Sequence, residues 1–409
     1  MKRVSLIFFI SVIAHTWVFS QQNIILKGVV KDTTGAGVPF AHVGICGKAI
    51  GTVTNENGEF QLILASYLAH DTLCVSSIGF GTFQGPIAEV RKNKFITIRL
   101  IPEVRILGEL IVSGEKITAK KILENAISRI KKNYPVRPFI LDGYYRDYLK
   151  KDNDYVSFLE SAVSLEDPGF NKAGSKAKLR INQIRFNPKY EANFEKYCTK
   201  AKSDTVKEIM EGFSPFINGN EFTNLMYNNP IRNYNQDIPI IGVFNQFYMK
   251  NLKFELSYNM DENGKEVYVI SFEPVDSLHY KYVQVFGEIY VRTVDYAILK
   301  FSYNYYVSLF RERKKLYQLD VEYRGMDGKM FLKYISFINY FKIYTGDEIA
   351  ELYQYREFFV NDIHYPKFTP FKDDEIISNN EPLHEFKMKS DPDFWNNYNM
   401  VLLEKPLKE

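Results

Sequence analysis

The 409 residues carry 52 basic and 49 acidic side chains, a net charge of +3, and charged residues make up 25% of the chain. This is a globular composition, and its nearly balanced, interspersed signs exclude the basic footprint that nucleic-acid binding requires. Three cysteines, Cys46, Cys74 and Cys198, are too few for a dense disulfide framework. The length predicts two or three domains. The 29 Tyr and 32 Phe favour half-buried pleated surfaces and so a mainly β fold.

Residues 1–20 read as an export signal. Lys2 and Arg3 form a positive start, Val4 to Ala14 is apolar, and Val18-Phe19-Ser20 ends on a small residue. Gln21 follows, so no lipid-bearing cysteine is expected at the new N-terminus. Loss of Lys2 and Arg3 leaves a mature chain close to neutral. No later stretch is long and apolar enough for a transmembrane helix. The expected location is the periplasm or the outer membrane. In such an oxidising compartment Cys46 and Cys74 either pair or, with Cys198, stay as buried thiols.

Residues 21–112 read as short strands separated by frequent turns. Ile24 to Val30 is a strand, Thr34-Gly35-Ala36-Gly37 a turn, and Pro39 opens the next strand. That strand alternates Ala41, Val43 and Ile45 against His42, Gly44 and Cys46. Further strands are expected at Gly51 to Thr54, Phe60 to Leu64, Leu73 to Ser77 and Phe95 to Leu100. Asn57-Gly58 is a hairpin signal, since both residues tolerate positive φ. The same stretch fails as a calcium loop. With Gly58 at the invariant glycine, Val53 and Leu64 fall where oxygen ligands belong. Gly35-Ala36-Gly37 fails as a dinucleotide motif, because Phe40 stands where a third glycine is needed. This pattern predicts a small β-sandwich.

The run LKGVVKDTTGAGVPFAHVGICGKAIGTVTNENGEFQL, followed by LCVSSIGFGTF and ITIRL, resembles the carboxypeptidase regulatory-like domain. It is similar to the domain that precedes the plug in many TonB-dependent outer-membrane receptors of the Bacteroidetes. Leu107 to Val112 resembles the segment that follows that domain. The resemblance implies a transthyretin-like, non-catalytic sandwich, and no catalytic residue carries over.

Residues 113–138 read as a linker and an amphipathic helix. Thr118 is its N-cap, and Ala119, Ile122, Leu123, Ala126, Ile127 and Ile130 form its apolar stripe. Asn133-Tyr134-Pro135 ends it. Lys120, Lys121, Arg129, Lys131 and Lys132 decorate the remainder, so the helix docks on the following sheet or lies on a membrane surface. Residues 139–409 form a β-rich domain. It opens with a hairpin of Phe139 to Leu149 and Tyr155 to Leu165. Residues 166–250 show little periodicity; a short helix near Ser203 to Glu211 and a loop at Asn228 to Asn235 are expected, the region serving as a lid or partner surface or being simply poorly packed. From Leu252 an antiparallel meander follows, with strands at about 252–260, 265–274, 282–293, 296–306, 313–324, 329–343 and 348–361. A strongly curved sheet or half-barrel is expected. Phe286 to Tyr305 resembles the strand–turn–strand of periplasmic lipoprotein-carrier half-barrels, which implies a cupped apolar ligand. The passage from K-N-Y-P, Lys132 to Pro135, to G-Y-Y-R, Gly143 to Arg146, resembles a broader group of exported Bacteroidetes proteins. The tail from Asp391, with Trp395 and Tyr398, is expected to dock on its own domain or to engage a partner.

No catalytic, cofactor or metal residue stands out. The mature histidines, His42, His70, His279, His364 and His384, have no helical i+3 or i+4 partner, and zinc needs several converging ligands. The acids of Glu166-Asp167 and Asp373-Asp374-Glu375 read as solvated turn residues. Cys198 has a neighbouring Lys200 but no histidine nearby, and reads as structural. The expected function is a non-enzymatic exported envelope protein with an interaction-type sandwich and a β-rich binding domain. Its partner is an envelope protein, with lipid or glycan as further ligand classes. The alternatives are a carrier of an apolar ligand and a hydrolase.

Overall fold

The computed structural model describes residues 23–103, 111–112, 115–151, 154–187, 220–234, 244, 249–261, 265–275, 283–309, 312–345 and 348–403. The export signal, Cys198, His279 and the helix expected near Ser203 to Glu211 lie outside these residues. Two β-layered bodies account for most of what is described.

The first is a sandwich of β1 (Ile24–Lys31), β2 (His42–Ile45), β3 (Gly51–Val53), β4 (Glu59–Leu64), β5 (Thr72–Ser76), β6 (Phe83–Pro86), the short α1 (Ile87–Val90) and β7 (Ile96–Arg99). One sheet has the order β4-β1-β7, the other β3-β2-β5-β6. Alternating residues supply the core between them, among them Leu26, Val43, Ile45, Phe60, Leu62, Val75 and Ile98. The strand β6 was not expected, because Phe83-Gln84-Gly85-Pro86 shows no apolar alternation. Cys46 and Cys74 form a disulfide, which settles that choice.

The Asn57-Gly58 reversal forms, but not as a hairpin. β3 and β4 lie in different sheets, so the turn carries the chain from one layer to the other. Asn55 holds it: its buried Oδ1 accepts the N–H of Asn57 at 3.0 Å and of Glu59 at 2.8 Å. Gly58 takes φ +79° and donates to the Asn55 carbonyl at 3.0 Å. The alternation of Phe60, Leu62 and Leu64 fixes which face is buried, not which strand is the neighbour, and β4 pairs with β1 instead.

After the small ribbon of β8 (Ile111–Val112) and β9 (Glu115–Lys116) come α2 (Ala119–Ser128) and α3 (Ile130–Asn133). The larger sheet is built from β10 (Phe139–Lys151), β11 (Asp154–Asp167) and β12 (Lys178–Phe186), followed after α4 (Glu221–Tyr227) by seven more strands. These are β13 (Leu252–Met260), β14 (Glu266–Pro274), β15 (Val283–Arg292), β16 (Ile298–Leu309), β17 (Glu312–Met326), β18 (Lys329–Thr345) and β19 (Glu348–His364). A short helix, α5 (Pro392–Asn396), lies in the tail. The expected meander is present. It is part of a ten-stranded antiparallel sheet, because β10 pairs with β19 and brings β11 and β12 alongside. Among the described residues the order runs from β12 to β13 without closure.

One face of this sheet is covered by helices. The Thr118 side chain caps α2, accepting the Lys121 N–H at 3.3 Å. Ala119, Ile122, Leu123, Ala126 and Ile130 then join Phe139, Tyr145, Phe301, Val321 and Phe358 in one core. The basic helix therefore docks on the sheet. Tyr134 buries its ring there and donates to the Ile298 carbonyl at 2.7 Å. The loop after α4 is structural. Arg232 grips Asp167 with Nε and Nη2 at 2.7 and 2.9 Å, both side chains buried. Asp167 is thus no solvated turn acid: it sits at the end of β11, and its charge requires this buried partner.

Truncating Leu123 to Ala should lower unfolding stability by about 2–5 kcal/mol in denaturant titrations, whereas the exposed Lys120→Ala should change it by less than about 0.5 kcal/mol. The cystines span 28 residues. Replacing both by Ser should remove about 3–4 kcal/mol through the entropy returned to the unfolded chain.

Candidate functional site

Three places bring distant polar side chains together. The first joins Ser164, Asp142 and His364, the residue types of a hydrolytic triad. Their order is wrong for that chemistry. The Ser164 hydroxyl donates to Asp142 Oδ1, and His364 Nε2 meets Asp142 Oδ2 at 2.6 Å. A triad needs the imidazole between hydroxyl and carboxylate, so that it can take the hydroxyl proton. Here the carboxylate stands in the middle, and Ser164 also accepts from Asn182 at 2.8 Å.

The second lies under α4. Asp147 accepts from Arg356 Nε at 2.9 Å and from Gln354 at 3.1 Å, and Tyr145 donates to it at 3.2 Å. Glu221 pairs with His384 Nδ1 at 2.5 Å and accepts the Leu383 N–H at 2.5 Å. Burial raises the Asp147 pKa despite Arg356. Burial also works against the Glu221 charge, but the His384 hydrogen bond and charge outweigh it and hold that carboxyl below its ordinary value. These groups satisfy one another in a packed interior. His384 was passed over in the sequence because its partner lies 163 positions away.

The third is the seam where the sandwich meets the sheet, and it is the strongest candidate. A cavity of about 240 Å³ opens there, lined by His42 and the Cys46–Cys74 disulfide on one side and by Glu322, Arg324, Met330 and Lys333 on the other. β2 turns His42 away from the sandwich core. The ring lies over the paired glycines Gly44 and Gly51. A Cβ at Gly44 would sit 2.6 Å from His42 Cε1, and one at Gly51 2.8 Å from Nε2. The two glycines thus open a slot that a larger pair would fill.

Arg324 reaches into this slot. Its Nη1 lies 3.2 Å from His42 Nε2, and Nη2 donates to the carbonyls of Ala49 at 2.9 Å and Val360 at 3.3 Å. A guanidinium only donates, so Nε2 accepts and the His42 proton sits on Nδ1. Burial, then the Arg324 and Lys333 charges, push the His42 pKa well below its ordinary value. Lys333 donates to Glu322 at 3.0 Å, and Lys300 pairs with the same carboxylate at 3.3 Å. Burial opposes the Glu322 charge, yet these two lysines hold its pKa at about 2. Of these charges Arg324 crosses to the sandwich, while Glu322, Lys333 and Lys300 satisfy one another within the sheet. Among the described residues no group of three or more His, Cys, Asp or Glu could hold a metal ion.

The tail completes the seam, and it touches both bodies rather than one. Trp395 and Val401 pack with Val53 of the sandwich and with Tyr144, Tyr334 and Phe359 of the sheet. Phe40 stacks on Tyr334, ring centroids 5.1 Å apart. Asn399 takes the place of a strand neighbour along β4, accepting the Ile63 N–H at 2.7 Å and donating to its carbonyl at 3.0 Å. Its own carbonyl accepts from Asn361 at 3.1 Å, and that of Val401 from Arg146 at 3.3 Å. The only signal for this strap in the sequence is the aromatic spacing of Trp395 and Tyr398.

Folded protein keeps His42 neutral. Below pH 6.5 the unfolded chain takes up a proton that the folded chain refuses, so stability falls by about 1.4 kcal/mol per pH unit well below that value and is unaffected above it. Denaturant titrations at pH 7.5 and 5 should show this slope, and His42→Gln should flatten it relative to wild type. Deleting residues 391–403 should split one calorimetric unfolding transition into two, as the bodies uncouple.

The comparisons bear on the sandwich. The TonB-dependent receptor SusC of Bacteroides thetaiotaomicron is 34% identical over 110 residues, which is 27% of this chain and 10% of the receptor. The chain thus spans about a tenth of that curated relative. The solved structure titled "Lipid-protein interactions in lipovitellin" covers 59% of this chain and 26% of its own, with 6% identity and a TM-score of 0.21, a value that carries no argument about fold. Residues 26–112, which span most of the sandwich, match the family model described as the CarboxypepD_reg-like domain.

Proposed function

We propose that this chain is an exported, non-enzymatic binding protein of the bacterial envelope, in which sandwich and sheet act as a single rigid body. The observation that carries the reading is the seam. A CarboxypepD_reg-like domain, similar to part of a TonB-dependent receptor, is held here against a ten-stranded sheet by the Arg324–His42 contact and by the strap of residues 391–403. Such a body presents wide, fixed surfaces, which suits recognition. The carrier alternative has less support. Over the described residues the helix-bearing face of the sheet is filled by α2, α3, α4 and aromatic side chains. The hydrolase alternative would need a nucleophile aligned with a base, and in the Ser164 cluster the carboxylate separates the two.

Export is the part most directly tested. Expressed with a C-terminal tag in a Gram-negative host, the protein should fractionate with the envelope and begin at Gln21. A chain recovered from the cytosol with Met1 in place would overturn the reading.

A further inference from the structure

The face of the ten-stranded sheet opposite the helices is only partly covered by the sandwich and the strap. Beyond them an aromatic strip crosses seven neighbouring strands, β15-β16-β17-β18-β19-β10-β11. At about 4.8 Å per strand it is about 29 Å long. At one end Arg313, exposed, lies 4.4 Å from the Phe286 ring centroid and 4.1 Å from that of Tyr306. Lys315 follows, 5.6 Å from the Tyr340 ring, and Tyr340 meets Tyr353 edge-on at 5.3 Å. At the far end Lys150 lies 4.8 Å from the Tyr155 ring and 5.4 Å from that of Tyr355. The Phe286, Tyr306, Tyr340, Tyr353, Tyr355 and Tyr155 side chains are half-buried, each leaving part of its ring at the surface.

We infer that this strip binds an acidic polysaccharide, its sugar rings stacked on the tyrosines and its carboxylate or sulfate groups held by Lys150, Arg313 and Lys315. Three observations select that chemistry. The strip interleaves cations with ring faces, and the acids beside it are few. Glu351 is paired with Lys342 at 2.5 Å, Asp320 accepts from Ser302 and Gln318 at 2.6 Å each, and Glu56, on the sandwich turn, acts on Tyr340 from the margin. A flexible polyanion complements that pattern. Next, at the centre of the strip Lys150 of β10 and Tyr353 and Tyr355 of β19 are in strands paired on both sides, so a peptide cannot join there as an added strand and contact must come through side chains. Last, among the described residues none of the exposed large apolar side chains lies in the strip, where Phe286 is half-buried. The most exposed ones, Tyr67, Val294 and Ile101, lie in the sandwich, on the β15–β16 turn at the other end of those strands from Phe286 and Tyr306, and just after the sandwich, so the strip offers no exposed apolar anchor for a bilayer. The tyrosine hydroxyls add donors and acceptors that suit sugar hydroxyls.

The inference rests on the reading of the chain as a binding protein, but its test does not depend on location. Purified full-length mature chain is titrated calorimetrically with polygalacturonate and with neutral dextran of matched length. Binding to polygalacturonate that weakens with salt, with at least about tenfold preference over dextran, is expected. Tyr340→Ala with Tyr353→Ala should weaken it about tenfold or more. Arg313→Ala with Lys315→Ala should also reduce the salt dependence, while Tyr67→Ala on the sandwich should leave binding unchanged. Tyr353→Phe, which keeps the ring, should stay within about threefold of wild type, separating stacking from misfolding. No binding to polygalacturonate, equal binding by the strip variants, or stronger binding to polyglutamate or to phosphatidylglycerol vesicles would each overturn the inference. A protein that binds polygalacturonate yet fractionates with the cytosol would leave this inference standing and remove only the envelope assignment.

Discussion

The pairing of β10 with β19 is the contact on which the remaining architecture depends, and two ion pairs set its register. Arg146 stands opposite Glu357, and Asp147 opposite Arg356. The first pair faces the sandwich side, its charges 2.8 Å apart; the second faces the helices at 2.9 Å. Slipping the strands by one residue would set Arg146 against Arg356 in one direction and Asp147 against Glu357 in the other. Either slip buries like charges side by side and turns every apolar residue to the wrong face. Buried pairs of this kind add little net stability, because desolvation offsets their attraction. What they contribute is discrimination between alignments, which a run as uniformly aromatic as YYRDY needs.

Both faces inherit from that register. On the helix side, Asp147 and Arg356 come to rest beneath α4, where Glu221 and His384 form the neighbouring pair. On the sandwich side, Arg146 holds Glu357 with one nitrogen and the Val401 carbonyl with another. Tyr334 donates to the same Glu357 at 3.1 Å while its ring stacks on Phe40. A contact made to align two strands thus becomes the anchor for the strap and for one edge of the sandwich. The aromatic strip continues from it: Tyr148 stacks on Tyr355 at 4.7 Å because these two residues are partners in the same pairing.

What could be read from the sequence follows from how local each interaction is. The seven meander strands were legible because alternation and turn residues are written within ten or so positions. The sandwich was legible for the same reason, helped by an ordered family pattern. The β10–β19 pairing joins residues such as Ile140 and His364, and no local pattern encodes which distant strand is the partner. β12 was missed because the alternation of Leu179 and Ile181 breaks at Asn182-Gln183, where the strand bulges, beside a long unpatterned stretch. The layer switch at Asn57-Gly58 was misread as a hairpin because turn chemistry is identical in both cases. The candidate site was the least legible of all. His42, Gly44 and Gly51 look like ordinary strand residues until Arg324, 282 positions from His42, fills the slot they leave.

That long reach orders the assembly. Glu357 and Phe359 are set in place only once β19 has paired with β10, and the strap needs both: Arg146, held by Glu357, binds the Val401 carbonyl, and Phe359 packs with Trp395 and Val401. The strap in turn supplies the groups that satisfy β4 of the sandwich, through Asn399 and Ile63, and its carbonyls accept from Thr52 and Asn55 at 3.3 and 3.4 Å. A sandwich that folds early therefore keeps an unfinished edge until the larger sheet has closed its register. Exposed edges of that kind invite pairing with other chains. Covering β4 with a segment encoded after β19 ties the removal of that hazard to completion of the whole fold, so the two bodies reach their final form together.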